Sequence, residues 1–134
     1  MKLHYLAVVA LVAATTASAD NVRVEDLGVW KNKSNSVHVE VTECGDARCG
    51  TVVWASEKAK GDARKGGTEQ LVGTQLLRKF REKDNSRWRG KAFVPDMNKE
   101  FTGTITPIDF NTLEVKGCII GGLICKTQVW TRVS

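Results

Sequence analysis

The sequence predicts an all-β fold, a small antiparallel up-and-down β-barrel of about eight strands. Three observations support this prediction. Short runs of alternating apolar and polar residues follow one another between turn residues. One hairpin pattern, Glu-Val-x-x-Cys, turn, Cys-x-Thr-x-Val-Trp, occurs twice. No segment shows the apolar spacing of an amphipathic helix, and many short strands at this spacing are typical of barrels or sandwiches.

The N-terminal residues have the features of a targeting segment. Lys2 is followed by the apolar run 6–14 and by the small residues Ala17-Ser18-Ala19. The run is too short to cross a bilayer. We therefore expect a signal peptide at 1–19, a single domain at 20–134, and a periplasmic or secreted protein that does not span the membrane.

The remaining chain divides into eight candidate strands separated by turn residues. Asp84-Asn85, Pro95-Asp96 and Gly121-Gly122 are typical turn pairs. The polar segment 58–67 contains three glycines and predicts the longest loop. The candidate strands are 28–32, 36–43, 50–56, 71–80, 86–94, 99–107, 112–117 and 124–133.

The four cysteines predict a disulfide framework, because an exported chain with an even number of them usually pairs them. Facing residues of a tight hairpin lie within disulfide reach, which favours Cys44–Cys49 and Cys118–Cys125 over the two other pairings. Zinc is the rival interpretation. The spacings of four and six residues, without a histidine pair, do not fit it well. We expect no metal and no cofactor.

The repeated hairpin also predicts which side chains face inward. If Cys44 is opposite Cys49, then Val39 is opposite Trp54 on the same face. In the second copy, Cys118 opposite Cys125 places Trp130 inside. The sulfurs are then expected on the outer face. The same alternation places Trp88, Phe101 and Gln128 inside.

Small residues share the inward face with these large ones. They are Gly50, Gly90, Ala92, Gly103 and Gly117. Glycines either let strands bend at barrel corners or leave the lumen underfilled, and the sequence does not decide between the two. An underfilled lumen predicts a non-catalytic protein that binds a small apolar or amphipathic ligand. Trp54, Trp88, Phe101 and Trp130 would line the site, and Gln128 would orient the ligand.

Two short motifs carry a family resemblance. Gly28-Val29-Trp30 opens the first strand, and Trp130-Thr131-Arg132 closes the last. An inward Trp near the start with an Arg near the end resembles the calycin barrels, the lipocalins and their relatives. The resemblance implies that Arg132 packs across Trp30 as a barrel-closing pair through a cation–π contact.

A second resemblance covers 28–132. The motifs Cys-Gly-x-x-x-Cys-Gly from Cys44, Leu113-x-Val-x-Gly-Cys, and Cys-x-Thr-x-x-Trp-x-Arg from Cys125 resemble the bacterial secreted family of domain of unknown function 2147. It implies an exported barrel. The chain departs from the family pattern at 63–67, which lacks the usual Asn-Pro step, and at Phe101, where the family usually has tyrosine.

Charge patterning suggests an alternative function. Basic residues crowd the segment 78–91, and Arg87, Arg89 and Lys91 alternate outward as a basic stripe. Such a stripe is usually a solvated face, but it also fits an interaction module for anionic lipid or polysaccharide of the envelope.

Export argues against nucleic acid as a partner. His38 is expected on the outer face near Glu40, and no nucleophile motif is present, so we expect no enzyme and no catalytic residues.

Overall fold

The computed structural model of the chain describes residues 26–84, 86–119 and 123–134. These residues form a closed barrel of eight strands with one helix inserted after the third. The elements are β1 (Gly28–Lys31), β2 (Val37–Cys44), β3 (Ala47–Ala55), α1 (Glu57–Lys65), β4 (Gln75–Asp84), β5 (Arg87–Val94), β6 (Lys99–Asp109), β7 (Thr112–Ile119) and β8 (Ile124–Arg132).

Each strand pairs antiparallel with the next, as the up-and-down prediction requires. The barrel closes where Trp30 of β1 lies opposite Arg132 of β8. Both predicted disulfides, Cys44–Cys49 and Cys118–Cys125, are present, and these confirm the disulfide-stapled barrel. The predicted signal segment 1–19, Asn85 and the turn pair Gly121-Gly122 lie outside the described residues.

The prediction of a loop at 58–67 is wrong, because most of this segment belongs to helix α1. Ser56 caps the helix by accepting a hydrogen bond from the backbone N–H of Ala59 at 3.1 Å. An ion pair one turn apart, Lys58 to Asp62 at 2.8 Å, supports the exposed face. Only Ala63 is fully buried, so the helix lacks the apolar stripe by which sequence patterns reveal helices. Among the described residues, no helix has the length and apolar character needed to cross a membrane.

In the first stapled hairpin, the predicted register is wrong by two residues. Cys44 lies opposite Ala47 rather than Cys49, so Val39 lies opposite Val52. The cause is a two-residue turn that begins at Gly45, whose φ of +68° is the conformation that such turns favour at this position. The disulfide therefore joins diagonal neighbours on the outer face.

A bulge further along the same hairpin overturns the prediction that Trp54 lines the lumen. The register shifts between His38 and Val39, which leaves Val53 as an extra residue. Trp54 consequently lies opposite His38 on the outer face, 44% exposed, with the two ring centroids 4.6 Å apart.

The second stapled hairpin has the predicted register. Cys118 is opposite Cys125, Leu113 is opposite Trp130, and Val115 is opposite Gln128. Trp130 is buried, with 6% of its surface exposed. The outer face of β7–β8 therefore carries the sulfurs and the inner face carries Trp130.

Strand β4 begins later and ends later than predicted, at Gln75 and Asp84. A bulge between Arg78 and Arg81 allows both Leu77 and Phe80 to point into the barrel. These two side chains are almost completely buried and form the centre of the core, together with the valines of β2 and β3.

Candidate functional site

One end of the barrel is closed by stacked cations and indoles. The Arg132 guanidinium lies 4.3 Å from the ring centroid of Trp30 and donates to the backbone carbonyls of Leu27 and Phe110, each at 2.7 Å. It also lies 4.2 Å from the ring centroid of Phe110. The backbone acceptors hold the cation over the buried indole, where desolvation strengthens the contact.

A second cation–indole pair at the same end was not predicted from the sequence. Arg48 lies over the ring of Trp88, 4.7 Å from its centroid, and its Nε donates to both carboxylate oxygens of the buried Asp26 at 3.0 and 3.1 Å. Asp26 also accepts, through its backbone carbonyl, the indole N–H of Trp30. We call the end built from Trp30, Arg48, Trp88 and Arg132 the sealed end.

The middle of the barrel is filled by the side chains of β4. A Cβ atom added to Gly50 would come within 2.7 Å of Leu77, and one added to Gly90 would come within 2.8 Å of Phe80. At Gly103 the Phe80 ring is 3.1 Å away. These three inward glycines therefore make room for Leu77 and Phe80 rather than for a ligand.

The opposite end, which carries the β5–β6 and β7–β8 turns, is not filled in this way. A Cβ atom added to Gly117 would meet no atom within 4 Å. On β8, Lys126 lies opposite Gly117, and Gln128 is the next residue on the same face. Both are exposed although the register points them inward. Phe101 and Ala92 face the same space and are half-buried.

We call these five residues the lumen patch: Ala92, Phe101, Gly117, Lys126 and Gln128. The end of the barrel to which they belong is called the open end. The short strand β1 explains why it is open. Only Thr131 and Arg132 of β8 pair with β1, so the rest of β8 extends past the closure and its inner face meets solvent.

The structure brings together only some of the predicted ligand-binding residues. Phe101 and Gln128 both belong to the lumen patch. Trp130 is buried, and its indole N–H donates to the Gln128 side-chain oxygen at 3.0 Å. Trp88 lies at the sealed end beneath Arg48, and Trp54 is outside the barrel. Lys126, which the sequence analysis did not select, adds a positive charge to the patch.

Comparison with known proteins agrees with this architecture. The model of the family described as uncharacterized protein conserved in bacteria (DUF2147) matches residues 28–132. The chain belongs to this family. No curated protein matches the chain.

A solved structure with a similar fold is protein HP1028 from the human pathogen Helicobacter pylori, described as belonging to the lipocalin family. The TM-score is 0.65 at 17% sequence identity, over 82% of this chain and 84% of that one. At this identity the similarity shows the lipocalin-like fold. The two disulfides of the present DUF2147 protein and its bacterial family suggest that it resides outside the cytoplasm.

The basic stripe of this DUF2147 protein lies on the outside of the barrel. Arg87, Arg89 and Lys91 are all exposed on β5. Arg89 is directly opposite Arg81 on β4, so two like charges face each other across the sheet. Among the described residues, no ion pair is formed by Arg87 or Arg89, whereas Arg81 approaches Asp46 at 3.5 Å.

Two depressions lie on the surface, outside the barrel interior. A cleft of about 210 Å³ between α1 and the following segment is lined by Lys60, Arg64 and residues 69–72. A shallow groove of about 620 Å³ runs along β1 and β2 at the sealed end. Neither includes a residue of the lumen patch.

One ion pair on helix α1 shifts the pKa values of both its members. On α1, the hydrogen bond from Lys58 lowers the pKa of Asp62, and the same contact raises the pKa of Lys58. His38 is hydrogen-bonded to the Asn35 side chain at 2.7 Å on the outer face. The described residues contain no cluster of three potential metal ligands.

Proposed function

We propose that this protein is a non-enzymatic, exported binder of a small amphipathic molecule, and that the lumen patch is its binding site. The observation that carries the proposal is the contrast among the inward glycines. Three of them are packed against Leu77 and Phe80, and Gly117 faces open space. We further propose that residues 1–19 are removed on export to the periplasm or the cell exterior.

The composition of the lumen patch indicates the ligand class. Phe101 and Ala92 offer an apolar wall, and Phe80 of the filled core forms the floor of the site. The Gln128 amide and the Lys126 ammonium offer donors at the solvent side of the same face. A short acyl chain with an acidic head fits this arrangement, since few polar groups suffice to orient a ligand in a mostly apolar site.

Titration with decanoate, followed by ¹H–¹⁵N NMR, tests the proposal. We expect shifts centred on Gly117, Lys126 and Gln128. Gly117→Leu should abolish binding because the leucine side chain would fill the open space. Gly61→Leu is the control: Gly61 lies on α1 and also has no close neighbours, so this variant should still bind decanoate. Shifts confined to the sealed end, or unchanged binding by Gly117→Leu, would disprove the assignment.

A second candidate function is an interaction of the basic stripe with an anionic envelope surface. The direct opposition of Arg81 and Arg89 favours it, because like charges opposite each other are destabilising and, among the described residues, Asp46 approaches Arg81 but no carboxylate pairs with Arg89. Reversing the charge of Arg87, Arg89 and Lys91 should abolish retention on an anionic polysaccharide column. Reversal of the exposed Lys33, Arg64 and Lys65 serves as the matched control, and equal losses would show that only net charge matters.

A further inference from the structure

Apolar side chains project from the turns of the open end. Leu123, beside the β7–β8 turn, is 83% exposed, and Met97 in the β5–β6 turn is 49% exposed. Ile124, the first residue of β8, is 50% exposed. Single exposed apolar residues are ordinary, but several at one end of a protein can mark a surface that contacts a partner or a membrane.

The β5–β6 turn and the described residues on either side of the β7–β8 turn lie at the same end of the barrel. Strand β6 pairs with both β5 and β7, and Thr102 is opposite Cys118. One residue further, Phe101 and Ile119 are therefore close; the β5–β6 ladder continues past Phe101 to the Val94–Lys99 pair, and β7 ends at Ile119. We call the exposed apolar residues beside these two turns the rim: Met97, Leu123 and Ile124.

The β5–β6 turn is held in place by the segment that follows α1. The Thr68 hydroxyl donates to the Pro95 carbonyl at 2.8 Å, and Gly66 packs directly against the carbonyl of Asp96, leaving no room for a Cβ atom. The exposure of Met97 is therefore a fixed property of the fold.

Two lysines follow the rim residues closely in the sequence. Lys99 opens β6 immediately after the turn, and Lys126 lies two residues after Ile124; both are exposed. The acidic residues near the β5–β6 turn are Glu100, which pairs with Arg78 at 3.1 Å, the exposed Asp96 of the turn, and the exposed Glu69 next to Thr68. Apolar tips with cations behind them match a bilayer surface, where hydrocarbon lies beneath a layer of phosphate groups.

We propose that the rim docks the open end of the barrel onto an anionic lipid bilayer. Met97, Leu123 and Ile124 enter the interfacial region, and Lys99 meets the phosphate layer. The lumen patch then opens toward the membrane, so that an amphipathic ligand passes between bilayer and barrel without crossing water. Docking itself needs no ligand and does not depend on the proposed binding function.

Flotation of the purified protein with vesicles tests the docking. We expect it to bind vesicles of phosphatidylcholine mixed with phosphatidylglycerol, and to bind phosphatidylcholine alone more weakly. Met97→Asp and Leu123→Asp should each weaken binding by about tenfold, equivalent to about 1.4 kcal/mol. Lys99→Glu should weaken binding to the anionic vesicles only.

Ile108→Asp provides the matched control, since Ile108 is 54% exposed at the sealed end. It should leave flotation unchanged, and circular dichroism should show all variants folded. Failure of the protein to float, or equal losses for Ile108 and the rim, would overturn the proposal. If reversal of the basic stripe abolishes flotation and the rim variants do not, the stripe is the docking face and the rim is not.

Discussion

The two stapled hairpins begin from one sequence template and reach different structures. In the first, Cys44 and Cys49 are diagonal neighbours, and Trp54 lies outside the barrel. In the second, Cys118 and Cys125 are directly opposite, and Trp130 lies inside. The comparison teaches that the turn decides which residues are opposite each other, and that a single bulge decides which face the strand buries beyond it, because only an odd shift in register changes the face.

The largest expected difference between the hairpins concerns the two tryptophans. Trp130→Ala should destabilise the protein by about 3–5 kcal/mol, because it leaves a cavity beside Leu113. Trp54→Ala should cost less than about 1 kcal/mol, as is usual for surface positions. Urea unfolding of both variants measures the difference. Similar losses would mean that the two hairpins bury the same face after all.

The two disulfides should contribute about equally to the free energy of unfolding, although one joins diagonal neighbours and the other joins directly opposite residues. They close loops of similar length, with sequence separations of 5 and 7, so replacing either pair with alanine should cost about 2 kcal/mol. Unfolding in urea gives the loss for each double variant. A much greater loss for Cys118 and Cys125 would indicate that the staple alone holds the exposed end of β8.

The turn of the first hairpin should respond to a change at Gly45. Gly45→Val should cost about 1–2 kcal/mol because its φ is positive, and Gly45→Asn should cost less because asparagine tolerates this conformation. Thermal unfolding followed by circular dichroism compares the two. Equal stability of both variants would show that the turn can relax and does not fix the register.

The smallest expected effect concerns Gln128, which occupies the template position of Val52. Val52 is buried, whereas Gln128 is exposed and accepts the Trp130 indole N–H. Gln128→Leu should cost about 1 kcal/mol by leaving that donor unpaired, and Gln128→Glu should retain the acceptor. Tryptophan indole NMR signals report the bond. An unshifted Trp130 signal in Gln128→Leu would contradict the assignment.

The features that depend on alternation and cysteine pairing were predictable from the sequence. They include the eight-strand barrel, both disulfides and the register of the second hairpin. The register of the first hairpin was not, because a four-residue turn and the two-residue turn at Gly45 are both compatible with the same sequence. That difference of two residues keeps each side chain on its predicted face; the extra residue Val53 is what moves Trp54 to the outer face, and no composition signal marks it.

The candidate site was predictable only in part. Phe101 and Gln128 were selected because they alternate inward, and they lie in the lumen patch. Lys126 was missed because inward lysines are unexpected in a filled barrel, and its exposure depends on how short β1 is. Arg48 was missed because its partners, Asp26 and Trp88, are distant in sequence.

The meeting of Trp30 with Arg132 also bears on how the chain folds. Every other strand pairing joins strands that are consecutive along the chain, so each closes a shorter loop than β1–β8 does, including β3–β4, whose connection contains α1. The β1–β8 junction alone among the described pairings brings together opposite ends of the barrel sequence, and it does so over two paired positions. We therefore expect barrel closure to be a late folding step, and we expect transient opening of the native barrel to begin at this junction.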